Sequence, residues 1–343
     1  MDERSSPIDP LIRCFACGGG LVPGDAAWRC EACRAEVPAT LGIPDFRAER
    51  ASAPDPEVER LCAAYATTDF AGLLALRQQK FSTDDPALLR HYVSYRDLAK
   101  ERGQKFYRMV KRRMRESVGE APPGVAVVIG CGVGSCTAAV AAEHRRVVAL
   151  DPALPDLILA RKGFEEAGIA NVTLIQAFAQ RVPLADGAVQ LAIAENVLEH
   201  VFDVEGTMTE ASRILCPGGR FVGDSANRYN LLRPEPHVML WGVGFLPRRL
   251  MGRYVMWRRG FRGYDRSVHL PSHRELRRAL DRAFAAGGRI LFPGVDAYGF
   301  PARFDDVFRT IERITPLAWM LLQIFPVHLV VAVRGPDALA LRN

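Results

Sequence analysis

Short apolar runs alternate with helical patterns from residue 125 to the end of the chain. Such runs are typical of buried parallel strands, and the segments between them carry apolar residues at helical spacing. Seven strands are predicted, at residues 125–130, 146–151, 172–176, 189–194, 219–224, 289–295 and 327–334. Because strands and helices alternate, we expect a doubly wound α/β fold. Its mostly parallel sheet has seven strands and helices on both faces.

The residues before this alternation have a helical pattern. Residues 47–118 are predicted to form a linker followed by a helical cap, with a typical helix start at Asp85 and Pro86. Residues 105–115 place apolar side chains on one helical face and Lys and Arg on the other. We therefore expect one face of this helix to be buried and its basic face to meet solvent.

Two stretches interrupt the alternation inside the domain predicted for residues 119–343. They are a lid insertion at 226–271 and a helical insertion at 298–325. The second insertion leads into residues 315–333, which are nearly all apolar and about as long as a membrane-spanning helix. Because prolines divide this segment, we predict a short helix followed by a buried strand instead of a span.

Composition and charge narrow the class of protein. The 343 residues, 49% of them hydrophobic, suffice for one large domain and a smaller module. A formal charge of +6 is mildly basic and does not by itself indicate a nucleic-acid partner. Residues 1–10 are polar and lack the apolar core of a signal peptide, so we expect a cytoplasmic location with reduced cysteines.

Four of the eight cysteines form two C-x2-C pairs separated by twelve residues. They are Cys14, Cys17, Cys30 and Cys33. Two such pairs can surround a Zn2+ ion with four thiolates, which leaves no open position and is typical of a structural site. Residues 11–46 are therefore predicted to be a small zinc ribbon, in which Gly18 permits the first tight turn.

A glycine-rich loop follows the first strand of the predicted sheet. Residues 129–134 read I-G-C-G-V-G, and Gly130, Gly132 and Gly134 allow a sharp bend and a close approach to a ligand. The second strand ends in Asp151, 21 positions after Gly130. An acid at that point can accept hydrogen bonds from ribose hydroxyls. Together these features predict a site for a nucleoside cofactor.

Four segments resemble motifs of class I S-adenosylmethionine-dependent methyltransferases of the type 11 small-molecule kind. They are the glycine loop, V-P-L-A-D-G at 182–187, N-V-L-E-H-V at 196–201, and a helix ending in L-C-P-G-G at 211–219. This resemblance covers residues 125–225. Residues 13–46 resemble small zinc-ribbon adaptor proteins that partner methyltransferases.

The resemblance implies S-adenosylmethionine as the cofactor and assigns it a set of contacts. They are Gly130, Cys131, Gly132, Gly134, Asp151, Phe178, Ala179, Glu195 and Asn196. The chain departs from the family where Val128, residues 177–179 and Val189-Gln190 replace acidic positions. Asp151 is thus the only one of these acids retained, and Phe178 is expected to stack on the adenine.

Methyl transfer to a hydroxyl also needs a general base. His200 and Glu199 are the candidates for that role, and a purely structural role for either residue is an open alternative. Similar methyltransferases carry an N-R…P-E-H pattern in the lid insertion. That pattern makes Tyr229 and His237 the expected substrate contacts.

Three functions are compatible with these features. The first is methyl transfer to a small molecule, such as a secondary metabolite or a lipid-like or glycosylated acceptor, at oxygen. The second is RNA methylation, in which basic residues at 105–115 and 248–266 follow phosphates. The third is an interaction protein that has lost catalysis. The basic segments are equally compatible with an anionic membrane surface, and the sequence does not fix the oligomeric state.

Overall fold

The computed structural model describes residues 9–47, 55–78, 85–97, 99–284, 287–294, 298 and 303–335. Most of the predicted linker, residues 48–54, lies outside this part of the chain, as do residue 295 of the sixth predicted strand and residues 299–302 of the helical insertion.

A small antiparallel sheet forms the N-terminal module. Its strands follow one another in chain order and are β1 (Asp9–Arg13), β2 (Gly20–Val22), β3 (Ala27–Cys30), β4 (Glu36–Thr40) and β5 (Ile43–Pro44). Leu21 and Trp28 are buried beneath it. Cys14 and Cys17 lie in the turn after β1, Cys30 ends β3, and Cys33 lies in the turn after it, so the sheet brings both pairs to one end.

Four helices connect this module to the large sheet. They are α1 (Pro56–Ala64), α2 (Phe70–Gln78), α3 (Pro86–Asp97) and α4 (Ala99–Val118). Asp55 caps α1 by accepting a hydrogen bond from the Glu57 amide, as its position before a proline favours. The apolar face of α4 is buried, with Phe106 and Val110 in the core, as the residue spacing predicts.

The large sheet has seven strands, as predicted. They are β6 (Val125–Ile129), β7 (Arg146–Asp151), β8 (Val172–Gln176), β9 (Val189–Ala194), β10 (Leu215–Ala226), β11 (Gly288–Leu291) and β12 (Val327–Val333). Their order is β11-β12-β10-β9-β6-β7-β8. The five strands from β6 to β10 pair in parallel, and β12 runs antiparallel to both β10 and β11. The doubly wound, mostly parallel architecture is confirmed.

In the described part of the chain, eight more α-helices lie between these strands, and most of them cover the two faces of the sheet. They are α5 (Ser135–Ala141), α6 (Leu154–Glu166), α7 (Val204–Ile214), α8 (Arg248–Arg259), α9 (Tyr264–Ser267), α10 (His273–Ala283), α11 (Phe304–Arg313) and α12 (Thr315–Leu322). No helix in the described ranges has the length and apolar character needed to cross a bilayer. The apolar segment 315–333 instead forms α12 and the buried strand β12, as predicted.

Two predicted strands differ from the observed ones by more than one residue at an end. The strand predicted at 289–295 ends at Leu291, because the Phe292 amide donates to Glu312 instead of to β12. The Phe292 ring then packs against Phe308 and Phe325, away from the sheet. The strand predicted at 219–224 begins earlier, at Leu215, and an irregularity in its register with β9 accommodates the Pro-Gly-Gly turn.

The N-terminal module is docked on the large sheet by backbone hydrogen bonds. The Arg13 amide donates to the Pro183 carbonyl at 2.8 Å, and the Phe46 amide donates to the Gln176 carbonyl at the end of β8 at 2.8 Å. Ile12 and Phe46 belong to the same apolar cluster as Val127 in β6. One continuous core therefore joins the two parts of the chain.

The insertion 226–271 has a core of its own. Val238, Val255, Tyr264 and other apolar residues pack together with Leu88 of α3. Gly244 lies so close to the Arg228 carbonyl that an added Cβ would come within 1.6 Å of its oxygen. The insertion is thus a folded unit built onto the end of β10.

Candidate active site

The candidate site lies where the parallel strands end. The chain leaves β6 toward β7 and β8 and then returns to the other side of β6 as β9, so the strand order reverses between β6 and β9. Ligands of open α/β sheets bind in the crevice outside the carboxyl ends at such a reversal. The loop after β6 and the segment after β9 border this crevice, and both carry predicted site residues.

The glycine loop adopts backbone conformations that favour glycine. Gly130, Gly132 and Gly134 have φ angles of +66°, +49° and +86°. A Cβ on Gly130 would lie 2.3 Å from the Val197 side chain, and one on Gly134 would lie 2.6 Å from the Phe164 ring. Among the described residues, nothing lies within 4 Å of a Cβ at Gly132, so the loop is open on that side.

Asp151 ties this loop to the end of β7. Its carboxylate accepts hydrogen bonds from the Gly132 amide at 2.9 Å and the Ala153 amide at 2.8 Å. Burial, helped by the charge of Asp156, raises the pKa of Asp151 to about 6 despite these bonds. The carboxylate can bind four or so donors, so it retains capacity for ribose hydroxyls.

Phe178 and Ala179 follow β8 in a short turn. Ala177 and Ala179 are buried, whereas the Phe178 ring is 45% exposed. The Ala177 amide donates to the Asp151 carbonyl at 3.2 Å, which fixes this turn beside the end of β7. An exposed aromatic ring here is available for stacking.

Glu195 and Asn196 follow β9, and a buried acid on β10 holds this turn. Asn196 has a φ of +51°, and its amide donates to Asp224 Oδ1 at 2.7 Å. The Tyr298 hydroxyl donates to the other oxygen of the Asp224 carboxylate. Asp224 is fully buried, so its two hydrogen bonds replace solvent.

The sequence interpretation did not select Asp224 or Tyr298. One available signal was a charged residue inside the otherwise apolar run of β10. Tyr298 lies 74 positions away, and no local pattern connects it to Asp224.

The carboxyl groups of Glu195 and Asp224 lie close together beside the turn after β9, and each raises the free energy of ionising its neighbours. Burial and the charge of Asp224 raise the pKa of Glu195 to about 7, while Arg102 and a hydrogen bond with Cys136 oppose the shift. Burial and the charge of Glu199 raise the pKa of Asp224 to about 7. A positive charge bound in the crevice would stabilise the ionised forms of these carboxyl groups.

Two histidines meet beside the segment after β9. His237 Nε2 lies 3.2 Å from His200 Nε2. His200 Nδ1 donates to the Ser267 carbonyl at 2.6 Å, and His237 Nδ1 bonds to the Glu235 carboxylate. Because a carbonyl only accepts, Nε2 is the nitrogen of neutral His200 without a proton.

Glu199 is the third residue of this cluster. It is 1% exposed, and its Oε2 has no hydrogen-bond partner among the residues the structure describes. Glu199, His200 and His237 each offer a ligand atom, and these atoms lie within 4.8 Å of one another. The structure therefore brings together two predicted catalytic residues and one predicted substrate contact. Glu235, which orients His237, was not selected from the sequence.

Desolvation and the neighbouring His237 lower the pKa of His200 to about 4. The pKa of His237 is raised because the attraction of Glu235 outweighs the effect of burial. The proton shared by the two rings therefore belongs to His237, and His200 is neutral at pH 7.

Tyr229, the other predicted substrate contact, lies in the insertion. Its ring packs against Phe245, with centroids 5.4 Å apart, and against the Arg228 guanidinium. Tyr229 therefore contacts other residues of the insertion, and its role toward a substrate stays a prediction.

The four paired cysteines converge at the end of the N-terminal sheet. Their sulfur atoms lie within 4.8 Å of one another, with Cys14 Sγ 3.7 Å from Cys33 Sγ and Cys17 Sγ 3.4 Å from Cys30 Sγ. Tetrahedral Zn2+ with sulfur bonds of about 2.3 Å separates its ligands by about 3.8 Å, so the donor set fits such an ion.

Each cysteine pair makes the same kind of turn. The residue after the second cysteine of each pair, Gly18 or Arg34, has a φ of +73° or +61°. The amides of these two residues donate to the carbonyls of Cys14 and Cys30 at 2.8 and 2.9 Å. Gly18 plays the predicted part in the first turn, whereas Arg34 in the second shows no glycine signal in the sequence.

Many basic residues of the two basic segments are already paired. On α4, ion pairs join Lys105 to Glu101, Lys111 to Glu143, Arg112 to Asp305, Arg113 to Glu312 and Arg115 to Glu120. In the insertion, Arg248 pairs with Glu275, and Arg259 pairs with Asp85. These pairs hold helices together and reduce the charge available to a phosphate backbone.

Comparison with known proteins identifies the middle of the chain. Residues 127–223 match the family model for a methyltransferase domain. This segment is similar to a methyltransferase domain. It contains the glycine loop, Asp151 and the segment after β9, and it begins downstream of the cysteine module.

The relatives share only part of their length with this chain. A ubiquinone biosynthesis O-methyltransferase of Methylobacterium sp. (strain 4-46) is 34% identical over 116 residues, which are 33% of this chain and 46% of that protein. An uncharacterized 37.1 kDa protein in transposon TN4556 of Streptomyces fradiae is 32% identical over 134 residues, or 38% and 37% of the two chains. The chain spans less than half the length of these relatives.

A solved structure with a similar arrangement is geranyl diphosphate C-methyltransferase from Streptomyces coelicolor A3(2). It is 18% identical, covers 65% of this chain and 76% of its own, and has a TM-score of 0.45.

The geometry of the glycine loop predicts different effects of alanine at two of its positions. In Gly132→Ala the added methyl group meets open space, so only the left-handed backbone lowers the free energy of unfolding, by about 1–2 kcal/mol. Gly130→Ala pays a similar backbone cost and also clashes with Val197, so we expect it to lose more stability. Urea unfolding of both variants measures the difference. Equal losses would contradict the close packing of Val197 on the loop.

Proposed function

We propose that this protein transfers a methyl group from S-adenosylmethionine to an oxygen atom of a small-molecule acceptor. The observation that carries the proposal is the pairing of Asp151 with the glycine loop inside the methyltransferase domain. Bound S-adenosylmethionine supplies an electrophilic methyl group on a sulfonium, and the chain's own residues bind, orient and exclude water.

The residues around the crevice fit the three parts of this cofactor. Asp151 can accept hydrogen bonds from the ribose, and the exposed Phe178 ring can stack on the adenine. The half-buried Glu195 and the buried Asp224 are acidic and suit the positive charge of the sulfonium. These four residues lie at or near the carboxyl ends of β7, β8, β9 and β10.

Features of the insertion support a small acceptor. Its folded core continues from β10 at the carboxyl ends of the strands, and its His237 contacts His200. We propose that the acceptor hydroxyl binds against Glu199, His200 and His237, where Glu199 or His200 is the candidate to take its proton. The pairing of the basic residues on α4 disfavours the RNA alternative.

The chemistry of this cluster and the names of two relatives support oxygen as the methylated atom. A hydroxyl needs a group that removes its proton, and the cluster offers carboxylate and imidazole atoms. Two relatives with at least 32% identity over about 100 residues are ubiquinone biosynthesis O-methyltransferases.

We further propose that Cys14, Cys17, Cys30 and Cys33 hold a structural Zn2+ ion in a zinc ribbon. The convergence of four sulfur atoms and the two tight turns support this assignment. An ion there would stabilise the module that docks against β8.

Replacing Asp151 tests the cofactor site. Asp151→Ala removes the ribose acceptor and frees the Gly132 amide, so we expect affinity for S-adenosylmethionine to fall about tenfold to a hundredfold. Isothermal titration calorimetry measures it, and Asp186→Asn, an exposed acid outside the crevice, is the control. Unchanged affinity in Asp151→Ala would argue against this cofactor site.

The pKa of Glu195, about 7, predicts how pH separates the cofactor from its product. Below pH 7 the free site is protonated, and binding the cationic sulfonium must release that proton. Affinity for S-adenosylmethionine relative to neutral S-adenosylhomocysteine should therefore rise as pH increases toward 7 and then level off. The ratio cancels the contribution of Asp151, because both ligands carry the ribose.

Calorimetry with both ligands between pH 5.5 and 8, a range of about 1 unit or more around that pKa, measures the ratio. Glu195→Gln should reduce its pH dependence and leave the part that Asp224 contributes. A ratio that is independent of pH in the unmodified protein would show that the sulfonium does not face Glu195.

Removing one cysteine tests the zinc ribbon. Cys17→Ser should lower the bound zinc to well under one ion per ribbon and lower the melting temperature, because three thiolates hold the ion less tightly. Cys62→Ser, which changes a cysteine outside the cluster, is the matched control. Elemental analysis and thermal unfolding give the two readouts. Equal zinc content in the two variants would refute the assignment.

A further inference from the structure

We propose that Glu199, His200 and His237 form a second metal site, which binds a divalent transition-metal ion such as Zn2+ or Co2+. Two imidazoles and one carboxylate are the donor set of catalytic zinc sites and of related non-haem metal sites. The site is distinct from the four cysteines and lies at the carboxyl ends of the strands.

The distance between the two rings fits shared coordination. His200 Nε2 and His237 Nε2 are 3.2 Å apart, and their rings are nearly perpendicular, at 85°. Two nitrogen atoms bound at about 2.0–2.1 Å to one tetrahedral ion are separated by about 3.3 Å. The rings therefore already stand at the spacing of two ligands on one ion.

The outer nitrogens of both rings are held as metal-binding histidines usually are. His200 Nδ1 donates to the Ser267 carbonyl at 2.6 Å, and His237 Nδ1 bonds to the Glu235 carboxylate. Acceptors at Nδ1 fix the tautomer that presents Nε2 to a metal and increase the basicity of the ring. Glu235 is itself fixed, because its other oxygen accepts from the His237 and Val238 amides at 3.1 and 3.0 Å.

Glu199 gives an independent indication of a ligand. Its side chain is almost fully buried, and its Oε2 has no hydrogen-bond partner among the described residues. A buried carboxylate oxygen without a donor is costly unless a cation satisfies it. Since its carboxylate belongs to the cluster that spans 4.8 Å, an ion held by the two imidazoles would meet this need.

The three ligands leave room for a fourth. His200 is exposed, so the cluster opens to the solvent side on which an acceptor would enter. An ion there can bind a water molecule or an acceptor hydroxyl and lower the pKa of that hydroxyl. This role in methyl transfer rests on the proposed function, and in it His200 and Glu199 act as ligands instead of as a base.

Cobalt titration of the full chain, supplied beforehand with one equivalent of Zn2+ so that the cysteines are filled and the second site is empty, tests the site directly and without cofactor. We expect d–d absorption bands that saturate at one Co2+ per chain and lack thiolate charge-transfer absorption, which separates this site from the cysteines. His237→Gln and Glu199→Gln should each weaken Co2+ binding by more than about tenfold, and Glu235→Gln by about tenfold to a hundredfold. His144→Gln changes a histidine elsewhere, hydrogen-bonded to Tyr107, and should bind normally.

The pattern of results decides the proposal. Because the readout needs no S-adenosylmethionine, loss of cofactor binding alone would overturn the proposed function and leave the metal site standing. If one variant fails to fold by circular dichroism, the other two replacements still give the comparison. No cobalt bands in the unmodified protein, or equal bands in all variants, would overturn the site and leave a hydrogen-bonded histidine pair.

Discussion

The Asp224 carboxylate holds the turn after β9 in place by accepting hydrogen bonds from the Asn196 amide and the Tyr298 hydroxyl. Because β10 pairs with both β9 and β12, the backbone that carries this carboxylate is held on both sides by neighbouring strands. The left-handed backbone of Asn196 depends on that bond, and the segment from Glu195 to His200 starts from it. Burying the charge of the Asp224 carboxylate is costly, because it is compensated by these donors and a bound cation instead of by water.

Acidic side chains lie at both ends of this segment. At one end Glu195 lies beside Asp224, and at the other Glu199 lies beside two imidazoles. Burial raises the pKa of Glu195 and of Asp224 to about 7 at the first end, and Glu199 Oε2 at the second end has no donor among the described residues. A sulfonium at the first end and a metal ion at the second would each supply the missing positive charge, a few residues apart on one turn.

The parts of the molecule that were predictable from sequence are those with a local signal. Apolar runs predicted the strands of the large sheet. The three glycines predicted the tight loop after β6, because such a turn favours glycine. The partners of the site come from distant elements and were not predictable in this way: Tyr298 reaches Asp224 across 74 positions. Glu235 was hidden for another reason, since an acid beside a histidine in an insertion is common and its role appears only when His237 meets His200. Arg34 has a left-handed backbone with no residue-type signal at all.

The docking of the N-terminal module also affects association between chains. Strand β8 is an edge of the large sheet, and edge strands can pair with other molecules through their unpaired backbone groups. The Phe46 amide donates a hydrogen bond to the Gln176 carbonyl at the end of this edge, and the Phe46 ring packs into the core beside it. The cysteine module therefore covers one end of this edge, and loss of the proposed Zn2+ would weaken that cover together with the module.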